Sequence, residues 1–72
     1  MTQIEPQGYL SLTPAISLQI TLNEANEEVR WRYMTTQSQT EWVASPVLYD
    51  GFDRPYFETD SDSHWLHEFE VD

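Results

Sequence analysis

Between Ile16 and Asn23 the chain alternates strictly: Ile16, Leu18, Ile20 and Leu22 are aliphatic, while Ser17, Gln19, Thr21 and Asn23 are polar. Successive side chains of a strand point to opposite faces, so this spacing places the four aliphatics on one face. A helix would scatter them around its circumference. A second alternating stretch follows, with Val29, Trp31 and Tyr33 set against Arg30, Arg32 and Met34. Its β-branched and aromatic residues favour a strand. The link Asn23-Glu24-Ala25-Asn26-Glu27-Glu28 is short and polar, and its asparagines suit a turn. Residues 16–34 therefore predict an antiparallel hairpin.

The remaining segments are shorter. Tyr9–Thr13 reads as a strand ended by Pro14, and Thr35–Thr40 as a polar connector. Glu41–Ser45 reads as a third strand stopped by Pro46, with Val47–Tyr49 extending it beyond a kink. Asp50–Pro55 holds an Asp-Gly turn signal and a proline breaker; Tyr56–Glu58 is a further strand, and Asp60–Ser63 a polar loop. In the last nine residues, Trp65, His67, Phe69 and Val71 share one parity and Leu66, Glu68, Glu70 and Asp72 the other. That predicts a final strand; a short helix capped by Ser63 is the rival. The expected fold is mainly β: a single small acidic domain over residues 1–72, built as an antiparallel meander of four or five strands. It would form a sheet or partial barrel, with the C-terminal helix as the variant.

A chain of 72 residues buries a modest core, and small scaffolds usually need a staple. There is no cysteine, which excludes disulfides and thiolate metal sites. Three Trp, four Tyr and three Phe supply the apolar area instead. Trp31, Tyr33, Trp42, Trp65 and Phe69 are the expected core, with Trp31 and Trp42 packed across adjacent strands. Tyr49, Phe52, Tyr56 and Phe57 flank the acidic turn, where they either close the core or form a contact patch.

Charge then narrows the function. Thirteen acids face three arginines and no lysine, for a net charge of −10. The imbalance is uneven: residues 37–72 hold nine of the acids and only one arginine, Arg54. Arg30 and Arg32 are expected to pair with acids on neighbouring strands, such as Glu41, and Arg54 to offset the repulsion around Asp53. Such a surface disfavours nucleic acid and anionic membranes and favours a basic protein partner. No apolar run approaches a membrane span and no signal-peptide pattern opens the chain, so a cytoplasmic location is expected. Glu58, Asp60 and Asp62 are spaced i, i+2, i+4, and Glu68, Glu70 and Asp72 repeat that spacing. If extended, each set forms a row of carboxylates about 6–7 Å apart. Phosphates along a nucleic-acid strand rise about 3.4 Å each, so such rows are a crude likeness of its backbone. Asp50, Asp53 and Tyr56 complete the expected partner-binding set.

Other chemistry finds little support. His64, His67, Glu68, Asp60 and Asp62 are metal-ligand types, but no metalloprotease motif is present and the calcium-loop pattern fails at Trp65. No nucleophile elbow, P-loop or dinucleotide turn occurs. The expectation is a non-enzyme with no metal and no cofactor. It would inhibit a nuclease or nucleic-acid-binding protein by occupying its basic surface, using the charge strategy of the DNA mimics that phages and mobile elements direct at restriction or CRISPR nucleases. The alternative is an acidic accessory, immunity or antitoxin protein that docks without mimicry. Pairing of two copies through the hairpin of residues 1–36 is a further expectation.

Overall fold

In the computed structural model, which describes residues 6–71, the alternating segments form the predicted hairpin. Strands β2 (Ser17–Asn23) and β3 (Glu28–Met34) pair antiparallel from Ser17↔Met34 to Asn23↔Glu28. The register puts Leu18, Ile20, Leu22, Val29, Trp31 and Tyr33 on one face, and Gln19, Thr21, Arg30 and Arg32 on the other. Ile16 falls outside the strand, in the preceding turn, where Thr13 Oγ1 accepts hydrogen bonds from the Ala15 and Ile16 amides. The β2–β3 turn also differs from expectation. Its left-handed residue is Glu27 (φ 48°) rather than an asparagine, while Asn23 contributes its side chain as an acceptor for the Asn26 amide. A non-glycine residue in that region is uncommon.

Two further strands flank the hairpin. Strand β1 (Gly8–Ser11) pairs with β2, and β4 (Val43–Pro46) pairs with the first half of β3. The third predicted strand is thus displaced by two residues at its start and runs through Pro46. As an edge strand, β4 loses little by lacking that amide.

The chain then leaves this sheet. Strands β5 (Leu48–Tyr49), β6 (Pro55–Glu58) and β7 (Ser63–Trp65) form a second antiparallel sheet in the order β5-β6-β7. A 3₁₀ turn (Leu66–Glu68) leads to β8 (Glu70–Val71), which pairs with β1 and gives the first sheet the order β4-β3-β2-β1-β8. The fold is mainly β and antiparallel throughout, with no closed barrel. Eight short strands in two sheets replace the four or five expected, and β8 breaks the simple meander.

The single final strand predicted for residues 64–72 is interrupted. Trp65 donates its amide to Glu68 Oε1 at 2.8 Å, and Phe69 donates to the Leu66 carbonyl at 3.2 Å. The turn rotates the side chains out of period two: His67 is exposed, Phe69 is buried and Val71 is exposed. Strand and helix-like turn both occur, in series.

The core is Leu18, Ile20, Val29 and Trp31 from the hairpin, covered by Phe57 from β6 and by Phe69. The two phenyl rings lie 5.7 Å apart. Trp31 donates its indole N–H to Ser45 Oγ at 2.9 Å, and Ser45 donates to the Glu58 carbonyl at 3.3 Å, so one relay ties the core tryptophan to both sheets. Gly8 is buried where β1 passes close to β8: a Cβ there would sit 3.0 Å from the Glu70 carbonyl oxygen. Trp42 does not pack on Trp31; it lies outside β4, with the Arg32 guanidinium 4.4 Å from its ring centre. Trp65 is half-buried on the second sheet, stacked 5.4 Å from Tyr56.

Candidate functional site: an acidic surface carried on turns

The Asp-Gly signal marks the β5–β6 turn, and Asp50 organises it. Its Oδ1 accepts the amides of Phe52 (2.8 Å) and Arg54 (3.0 Å). Its Oδ2 accepts Arg54 Nε (2.8 Å) and the Trp65 indole N–H (2.9 Å). An aspartate that bonds backbone amides two residues on closes a turn in this way. The Arg54 amide, above all, holds the Asp50 carboxyl well below the usual carboxylate range; partial burial opposes this, and the Phe52 amide, the Trp65 indole and the Arg54 guanidinium add to it. Asp50 therefore serves as the structural centre of the turn. Its neighbours are the exposed groups: Phe52 is 82% exposed, with Arg54 Cζ 5.2 Å from its ring centre, and Asp53 is exposed at φ 59°.

A depressed carboxylate pKa stabilises the fold above the unfolded value, near pH 4, and that contribution is lost as pH falls toward the folded value. The informative quantity is the difference from Asp50→Asn, which keeps the shape and removes the charge. Urea unfolding followed by tryptophan fluorescence between about pH 2 and pH 6 is expected to show a gap between the two proteins that closes on acidification. A gap independent of pH would mean that the Asp50 charge does not hold the turn.

The first of the two carboxylate rows does not form. Glu58 lies in β6, but the Thr59 amide bonds the Asp62 carbonyl at 2.8 Å, which leaves Asp60 and Ser61 as the hairpin tip. Glu58, Asp60 and Asp62 thus wrap around a turn. In the second set, Glu68 accepts the Trp65 amide, and Glu70 Oε2 accepts the Tyr9 hydroxyl at 2.8 Å. Both are engaged within the fold, and Asp72 lies outside the described residues. Tyr56 is half-buried against Trp65. The structure brings Asp50 and Asp53 together in one turn and places Asp60 and Asp62 at the opposite end of β6.

The arginines are already occupied. Arg30 lies 3.5 Å from Glu28, Arg54 lies 2.8 Å from Asp50, and Arg32 donates to Gln19 Oε1 at 2.8 Å while covering Trp42. Arg32 bonds Gln19, its partner in register on β2, rather than the expected Glu41, and Arg54 meets the acidic turn through Asp50. Among the described residues, the carboxylates of Glu24, Glu27, Glu41, Asp53, Glu58, Asp60 and Asp62 make no ion pair. Five of these seven sit on the β2–β3, β5–β6 and β6–β7 turns. Sequence reasoning missed Glu24 and Glu27, although their place in a predicted hairpin turn was the available signal.

The metal-ligand types disperse: His64 packs between Phe57 and Phe69, at 5.9 and 6.3 Å, while His67 is exposed. Among the described residues no three potential ligands gather, and no helix is long and apolar enough to cross a membrane. No family model, curated protein or solved structure matches this chain.

Proposed function

We propose that this protein is a cytoplasmic, non-enzymatic inhibitor that docks on a basic, nucleic-acid-binding surface of another protein, such as a nuclease, and occupies it. The observation that carries this is the surplus of exposed carboxylates without internal partners, set against three arginines that the fold already uses. Such a surface repels phosphates, attracts cationic surfaces over long range and loses that attraction in salt.

A second reading, docking without mimicry of nucleic acid, draws on two features. The carboxylates are grouped on turns rather than in rows, and Phe52 projects from a turn pinned by Asp50. An exposed aromatic on a preorganised turn suits a partner's apolar pocket, because little ordering cost remains on binding.

Binding to a panel of purified nucleases and DNA-binding proteins tests both, with added salt and duplex DNA as variables. A target whose binding weakens with salt and is displaced by DNA supports the inhibitor reading. A target held equally well under excess DNA, and lost in Phe52→Ala, supports the second. Absence of binding to every basic protein at low salt overturns both.

A further inference from the structure

A cleft of about 250 Å³ opens between the β2–β3 turn and the second sheet. Leu22, Val47, Tyr49, Pro55 and Leu66 form apolar walls, and Glu24 and Glu27 complete the lining. The Val47 amide donates to the Glu27 carbonyl at 2.9 Å, and the Glu27 amide to the Glu24 carbonyl at 3.3 Å, so the acidic wall is fixed to the linker that starts the second sheet. Neither carboxylate has an ion-pair partner among the described residues. Leu22 and Leu66 also line a second, more apolar cleft of about 480 Å³ that continues toward Phe69.

The chemistry selects the occupant. The cleft is smaller than the roughly 300–1,000 Å³ of ordinary small-molecule sites, so one side chain is the natural guest. Apolar walls beside two carboxylates suit a chain with an aliphatic stem and a cationic head. Tyr49 is 54% exposed, and an aromatic face at such a site favours the planar guanidinium over an ammonium. We propose that this cleft receives an arginine side chain of the basic partner. The inference rests on the basic-partner reading and gives that docking a defined anchor point.

The test uses the full chain, isotope-labelled for amide NMR, titrated at low salt with a blocked Gly-Arg-Gly peptide. Its lysine and citrulline counterparts are the controls; citrulline keeps the shape and removes the charge. Expected are saturable shifts at Leu22, Glu27, Val47 and Leu66 with the arginine peptide, weaker ones with lysine and none with citrulline. Glu24→Gln with Glu27→Gln is expected to weaken the arginine peptide about tenfold, the effect of losing two charge-assisted contacts. Both residues are exposed, so the remaining amide spectrum should be unchanged. Tyr49→Leu should narrow the arginine-over-lysine preference. Shifts centred on the Asp60–Asp62 tip, or equal shifts from citrulline, would overturn the cleft assignment and leave the basic-partner reading standing. If a longer polyarginine peptide also produced no shift anywhere, both would fall.

Discussion

Phe57→Ala is expected to unfold most of the chain at room temperature. Phe57 is fully buried and, among the described residues, is the only one of the second sheet in the core, where it meets Phe69 and His64. Truncating a buried phenylalanine costs about 3–5 kcal/mol, through lost transfer energy and the cavity left behind. A domain this small rarely holds more than about 3–5 kcal/mol in total. The loss therefore matches the whole stability, where the same substitution in a larger domain would only lower its melting point. Circular dichroism and urea unfolding check this, with Phe57→Leu as the milder variant that keeps most of the volume and stays folded. An alanine variant whose unfolding midpoint is unchanged would show that the two sheets do not depend on this side chain.

The second large effect concerns binding. Converting Glu24 and Glu27 to glutamine and Asp60 and Asp62 to asparagine takes the net charge from −10 to −6. None of the four carboxylates makes an ion pair among the described residues, so the fold loses no ion pair and some repulsion is relieved. The unfolding midpoint is expected to rise slightly. Affinity for a basic partner should fall: exposed pairs contribute about 0.2–1 kcal/mol each, so four give roughly 1–4 kcal/mol, or about fivefold to several-hundredfold. Titration calorimetry at low and high salt separates this from a packing effect, because the variant should also lose much of its salt dependence. Unchanged affinity and salt slope would place the contact elsewhere, with Phe52 the leading candidate.

The hairpin of β2 and β3 was legible because period two survives wherever one face is buried, and Leu18, Ile20, Val29 and Trp31 are buried together. The second sheet was not. Pro46 does end its strand, but Val47–Tyr49 reads as an extension of that strand, whereas the chain turns away at the Val47 amide and Leu48–Tyr49 pairs with β6. Aromatic size misled the core assignment. Trp42 and Trp65 found polar partners in Arg32 and Asp50, while Phe57, which has no polar atom to satisfy, took the centre. The Glu58, Asp60 and Asp62 row failed for a related reason. Alternation in sequence becomes a row only if the backbone stays extended, and the Thr59–Asp62 turn prevents it there, while the Glu68 carboxylate is drawn back onto the Trp65 amide. The Asp-Gly signal did locate the turn that Asp50 organises. The bond from Trp65, fifteen residues away, follows from packing and leaves no local signal.

The β1–β8 pairing has a kinetic consequence. Among the described residues every other ladder joins strands adjacent in the chain, whereas this one brings together Tyr9 and Glu70, 61 residues apart. Closing a loop of that length costs roughly 2 kcal/mol more entropy than closing a four-residue hairpin turn. Hairpins form within microseconds, and contacts distant in sequence follow once enough of the surface is in place. The β1 edge is thus the last to be covered, and until it is, its open backbone is the part of the folding chain most ready to pair with another molecule.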